Sequence, residues 1–270
     1  MDDVKRIEGW DVRNVDFSRI HGDDSRAYEF LLKSLNLREG MCLGDIMCGY
    51  GAVSQRVLEF CESKRIILSL FLLDAYQLDR TIPLTRYEDK GHSVNRTLQD
   101  ARNFSFPKDS LDAIVIKMGL HEVSKEEQVR ILANSLHSLK PAGELFIWEC
   151  MGQTPKINEY FKRIIRKKDE LAGYTSMVEN RYFCNEEELI DIAEEAGGER
   201  VEVIYQDSSF DWNTLNLCQA DFGVDVDKLK EYNEYIRSIL PINVSQAIKL
   251  EDFGDFIIMH FAKKILRVRK

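Results

Sequence analysis

The chain has 270 residues, 44% of them hydrophobic, and 46 Asp and Glu against 37 Lys and Arg give it a formal charge of −9. This is enough chain to bury one large core, with or without a cap. The acidic balance works against nucleic acid as a general partner, because such binding is driven by counterion release from phosphates.

Six scattered cysteines, Cys42, Cys48, Cys61, Cys150, Cys184 and Cys218, form no C-x-x-C pair and have no histidine at zinc spacing, so they read as reduced thiols and suggest no metal site. The first residues lack a signal peptide's apolar stretch and no run reaches membrane-spanning length, so a cytoplasmic protein without membrane contact is expected.

Residues 1–22 mix Trp10, Phe17 and Ile20 with charges and predict an irregular arm or short helix. After Asp24-Ser25, the residues Ala27, Phe30, Leu31 and Ser34 share one helical face. Leu43 to Gly51 reads as a strand's end turning into a helix, with Asp45 before the pair Gly49 and Gly51. Glycine permits the positive φ and close approach of such a turn, and the helix start behind it exposes unpaired N–H groups.

Val53, Val57, Leu58 and Cys61 predict a helix over 52–63, followed by a doubly covered strand over 66–73 that ends at Asp74. A short strand, Thr97-Leu98, ends at Gln99-Asp100-Ala101, and a fourth runs from Leu111 to Ile116. Ser124-Lys125-Glu126-Glu127 is a capping-box start for a helix to about Leu139, and Lys140 to Gly143 is a turn into a strand from Glu144 to Trp148. Strands alternating with helices mean a doubly wound parallel sheet, with ligands outside the strands' carboxyl ends.

Past residue 150 the rhythm changes, but the whole chain still reads as one domain. Segments 151–180 and 207–250 are helical insertions from which a substrate cap can be built. The first holds a helix from Ile157 to Leu171; the second holds one near 226–239, stopped by Pro241. A capped helix from Asn185 to about Ala196 ends at Gly197-Gly198, and strands follow at Glu199–Tyr205 and Asp255–Phe261.

Four strand ends thus carry candidate ligands: Asp45 with its glycines, Asp74, Asp100 with Ala101, and Lys117 to Glu122. An ionised carboxylate ending the second strand suits a ribose diol. A hydride-carrying dinucleotide wants a third glycine where this chain has Ser54, so the dehydrogenase reading is weakened.

From Gly40 to Glu149 the chain resembles a class I S-adenosylmethionine-dependent methyltransferase of the small-molecule type, related to the quinone and sterol enzymes. Asp45 to Gly51 resembles the family's acid-x-Gly-x-Gly-x-Gly loop, and Leu72-Leu73-Asp74-Ala75 resembles its ribose-binding acid. Gln99-Asp100-Ala101 with Phe106 to Asp112 is similar to its adenine-side acid and following turn, and Lys140-Pro141-Ala142-Gly143 to its Lys-Pro-Gly-Gly turn. Two residues depart from the pattern: Met47 stands at the first loop glycine, and Ala142 replaces a turn glycine.

The resemblance implies a Rossmann-like methyltransferase fold and S-adenosylmethionine as donor. Gly49 and Gly51 would approach its methionine part beside Met47, Asp45 would hold the amino end, and Asp74, next to Ala75, the ribose. Asp100 and the Ala101 N–H would meet the adenine, and the Lys117 backbone would lie near the sulfonium.

Methyl transfer needs alignment and, for an acidic acceptor, a base. Among five histidines only His121 sits at a strand's carboxyl end, so it is the candidate general base, with Glu122 to orient it or bind a cationic acceptor. The expected acceptor is a small molecule, and a homodimer is a candidate assembly. Two alternatives stand beside this reading. One is a non-catalytic binder of the same fold. The other is an RNA methyltransferase, suggested by Lys162 to Lys168 and the tail Arg267 to Lys270.

Overall fold

The computed structural model describes residues 24–75, 85–223 and 225–270, so the expected arm over 1–22 and the stretch 76–84 lie outside the described residues. Two compact units emerge. One contains Ser25–Glu149, Glu188–Tyr205 and Lys264–Lys270; the described part of the other contains Asp24, Cys150–Glu187 and Gln206–Lys263 apart from residue 224.

The first unit opens with α1 (Ser25–Ser34), β1 (Cys42–Ile46), α2 (Ala52–Lys64), β2 (Ser69–Asp74), α3 (Thr85–Glu88), β3 (Ser93–Leu98), β4 (Leu111–Lys117), α4 (Lys125–Ser138) and β5 (Leu139–Met151). The sheet order is β3-β2-β1-β4-β5, continued by two later strands, and the first five pair in parallel. The order reverses between β1 and β4, the crevice where open α/β sheets take their ligands. Alternation puts Leu43, Leu70, Leu72, Val115 and Phe146 on one face, packed in a single core with Ala27 and Leu31 of α1 and Val53, Val57 and Leu58 of α2.

Several boundaries differ from expectation for physical reasons. The second strand begins at Ser69 rather than 66, because Arg65 closes α2 in a left-handed cap and the Ile67 N–H is taken by the Glu39 carboxylate. β3 spans six residues rather than two: every residue from Ser93 to Leu98 pairs with β2, although the strand is polar and sits at the sheet's edge.

Lys140 to Gly143 is not a turn between elements but a bulge within β5. Leu139 faces Leu111 and Glu144 faces Ala113, so the intervening residues loop out of register. A Cβ on Gly143 would lie 3.1 Å from the Asp112 carbonyl oxygen, so the bulge closes tightly.

The capping box on α4 forms as expected, with Ser124 accepting from Glu127 N and the Glu127 side chain accepting from Ser124 N. Ser124→Ala is expected to lower stability by about 1 kcal/mol. Urea unfolding checks this, and an unchanged midpoint would mean the box contributes nothing.

The second unit contains α5 (Pro155–Ala172), α6 (Thr175–Asn180), most of the region leading into α7 (Glu186–Glu195), and the far part of β6 (Arg200–Asn213). Then come α8 (Thr214–Phe222), α9 (Val226–Ile239), α10 (Ile242–Ala247), β7 (Glu251–Asp252) and the first half of β8 (Ile257–Arg269). Its core is aromatic: Phe161 packs on Phe183, Phe210, Trp212 and Phe261 at centroid distances from 4.3 to 6.3 Å. Phe210 and Trp212 are buried in this core.

β6 and β8 run well beyond the predicted 199–205 and 255–261. Lys263 and Lys264 break the apolar pattern of β8 yet are themselves buried.

The basic run of α5 divides by partner. Lys162 lies over the Tyr182 ring, Arg166 pairs with Glu170, and Lys167 with Glu231. Lys168 is buried instead, bonded to Asp169 and Asp221, while Arg181 also grips Asp169. Burying a charge without such pairing is strongly unfavourable, which is why the four cluster. Among the described residues no helix is long and apolar enough to cross a membrane.

Candidate functional site

The site is built from the carboxyl ends of β1, β2, β4 and β5 and the residues just past β3. Asp45 lies near the end of β1, almost fully buried, and its Oδ2 accepts from both the backbone N and the Oγ of Ser54, at 3.1 and 2.5 Å. It clamps the first turn of α2 to the strand. Burial pushes its carboxyl up to about 6, against the lowering effect of the Ser54 bonds.

The loop that follows is left-handed three times over, at Met47 (φ 58°), Gly49 (φ 52°) and Gly51 (φ 79°). Glycine takes this freely, whereas a methionine there costs about 1 kcal/mol of strain. The backbone at Met47 is thus one that glycine favours, and what methionine adds there is its side chain. A Cβ on Gly49 would meet no atom within 4 Å, so the loop's outer side is open. Gly51 caps α2 without a side-chain acceptor, and the amides of Ala52 and Val53 have no intrahelical partner.

Asp74 ends β2 and accepts from Gly49 N at 2.9 Å, tying the second strand's acid to the loop; Ala75 follows directly. Beyond β3, Asp100 accepts from Arg102 N and is gripped by the Arg102 guanidinium through both oxygens, with Ala101 buried at the start of the short 3-10 turn. Burial opposes ionisation of Asp100, but the Arg102 bonds prevail and hold it below the usual carboxylate range. The Cys48 thiol is driven well above its usual range by burial, so it is not a poised nucleophile.

Lys117 ends β4 with its ammonium 4.7 Å from the Trp148 ring centroid and 5.4 Å from that of Tyr28. The chain then turns through Met118, also left-handed, and Gly119 into a 3-10 turn over Leu120–Glu122. His121 sits there between two acids, with Nδ1 bonded to Glu149 Oε2 at 2.6 Å and Nε2 3.2 Å from Glu122 Oε1. Glu149 also accepts from Leu120 N at 2.9 Å.

Burial disfavours the imidazolium, but the Glu149 charge and the bonds to Glu122 and Glu149 outweigh it and push His121 up to about 9. The two acids thus favour the charged imidazolium over a neutral ring poised to take a proton.

Sequence reasoning missed Glu149 and Arg102. The only signal for Glu149 was a single acid inside the apolar run Phe146–Met151, at a parallel strand's carboxyl end. The basic tail, one ground for the RNA alternative, is the end of β8 and the residue after it: Arg267 pairs with Glu202, Arg269 with Glu144 and Lys270 with Asp109.

Residues 44–143 match a family model described as a methyltransferase domain. A curated relative, the sterol 24-C-methyltransferase of Aspergillus fumigatus, is 24% identical over 128 residues, 47% of this chain and 32% of that protein. The match thus spans about a third of the length of that relative.

Among solved structures, a methyltransferase candidate from Bacillus halodurans is similar with a TM-score of 0.72 at 15% identity, over 91% of this chain and 99% of that one. Phosphoethanolamine N-methyltransferase 2 of Haemonchus contortus, solved with phosphomonomethylethanolamine and S-adenosylhomocysteine, gives 0.56 at 17% identity, over 93% and 54%. At these identities the structural likeness establishes the fold.

Proposed function

Starting from the match of residues 44–143 to a methyltransferase domain model, we propose that the chain transfers a methyl group from S-adenosylmethionine to a small-molecule acceptor. The observation that carries this is the linkage of Asp74 to Gly49 beside the reversal of strand order, which joins the second strand's terminal acid and an open glycine loop in one crevice. The residues fit such a donor: the loop is open over Gly49, and carboxylates stand at successive strand ends. When bound, the donor supplies a methyl already activated on a sulfonium.

In this reading the loop backbone at Gly49 and Gly51 approaches the donor's methionine part. Asp45 acts from below by fixing α2, and Asp74 accepts from the ribose hydroxyls. Ala101 N–H meets the adenine ring, while Asp100, engaged by Arg102, orders the turn that presents it. Lys117 places its backbone at the crevice's edge. Alignment supplies most of the catalysis.

His121 holds Glu122 and Glu149 in place as an imidazolium rather than taking a proton, and Glu122 is the group that faces a cationic or acidic acceptor. The relatives named above act on a sterol and on phosphoethanolamine, and both are in keeping with a small acceptor here. The ion pairs of Arg267, Arg269 and Lys270 and the net charge of −9 argue against a nucleic acid.

Calorimetry with S-adenosylhomocysteine tests the donor, and transfer of labelled methyl from S-adenosylmethionine to a panel of amines, phenols and sterols tests the reaction. Micromolar binding with label in one acceptor class is the expected result. No binding at millimolar ligand would refute the donor assignment; binding without transfer to any acceptor would favour the non-catalytic alternative.

A further inference from the structure

Gly119 begins the turn that carries His121 and Glu122, and Glu122 N bonds back to its carbonyl at 3.1 Å. Its backbone, φ −119° and ψ −34°, lies where any residue is comfortable, so conformation does not require glycine there. Space does. A Cβ at position 119 would lie 2.7 Å from Met47 Cβ, 3.1 Å from its Sδ and 3.4 Å from its Cγ, and these three nearest atoms all belong to Met47. The sulfur end of a methionine swings aside readily, but its Cβ moves only with the backbone, here the left-handed first residue of the loop.

We propose that Met47 and Gly119 are a matched pair in which the methionine sets the separation between the loop 47–51 and the turn 119–122. The side chain present in the loop at 47 is answered by the glycine at 119. A side chain at 119 has to push Met47, and the loop with it, out of the geometry in which Gly49 reaches Asp74. The inference rests on the donor reading above, and it predicts a reciprocal dependence: glycine is needed at 119 only while methionine occupies 47.

The test compares wild type, Gly119→Ala, Met47→Gly and the double variant by three readouts: calorimetry with S-adenosylhomocysteine, thermal unfolding, and the NMR resonances of the His121 ring. Gly119→Ala is expected to weaken binding by at least about tenfold, as overpacking of this kind does. The double variant is expected to return to within about threefold of wild type, since removing the obstructing side chain removes the coupling. The His121 resonances should shift in Gly119→Ala and return in the double variant.

Wild-type affinity in Gly119→Ala, or a double variant as weak as the single one, overturns the pair. If Gly119→Ala does not fold, the double variant decides: it folds and binds if the pair is matched, and fails if glycine serves another purpose. Should wild type itself not bind S-adenosylhomocysteine, the donor reading fails. The His121 resonances, which need no ligand, then still show whether Met47 sets the turn.

Discussion

Replacing Asp74 by alanine is expected to reduce affinity for S-adenosylhomocysteine about a hundredfold while leaving the fold intact. An ionised carboxylate at the end of the second strand accepts from both hydroxyls of a ribose, and a hydrogen bond to a charged group contributes roughly 1.5–3 kcal/mol. Losing two such bonds, with some replacement by water, comes to about 3 kcal/mol, which is two decades in affinity. The same carboxylate holds Gly49 N at 2.9 Å, so the loop also loses a tether on its open side.

Asp74→Asn retains one acceptor oxygen and is expected to lose less, about tenfold. Titration calorimetry reads both variants, with a melting temperature near wild type as the control for folding. An affinity within about threefold of wild type in Asp74→Ala would remove Asp74 from the ribose site, and with it the order of the donor along the crevice.

Asp74 and the glycine loop were legible in the sequence because a parallel sheet writes its inner strands as apolar runs, and a ligand site sits where each run stops. What the sequence hid had other causes. β3 is a polar edge strand, so Ser93 to Leu98 carry no alternation strong enough to mark them. β8 hides behind Lys263 and Lys264, whose charges read as solvent-facing although both side chains are buried.

Lys168 likewise belongs to a basic run whose other members are surface residues, and only the fold brings Asp221 and Arg181 around it and its neighbour Asp169. Lys140 to Gly143 has the composition of a turn, and a bulge uses the same residues for the same bends. At the site, His121 and Glu122 were visible as neighbours in the chain. Glu149, which decides the protonation of the histidine, lies 28 residues away and becomes its partner only because β5 pairs with β4.

That pairing yields a prediction whose sign separates a tether from a base. His121 is raised from 6.5 to about 9 in the folded protein, so its stabilisation is complete below pH 6.5 and is lost as pH rises through about 9. The gap between those values corresponds to roughly 3 kcal/mol at about 1.4 kcal/mol per pH unit. His121→Gln, which keeps a hydrogen-bonding side chain but no charge, is therefore expected to be less stable than wild type by about that amount at pH 6 and nearly equal to it at pH 10. Urea unfolding at the two pH values measures the convergence, and NMR of the imidazole gives the ionisation directly.

A base operating near neutrality requires the opposite: a ring that titrates close to 6.5 and a stability difference that does not fade in alkali. Were that observed, the proton of an acidic acceptor would go to His121. With the ring charged up to about pH 9, the proposed methyl transfer rests on alignment of an acceptor that arrives already nucleophilic.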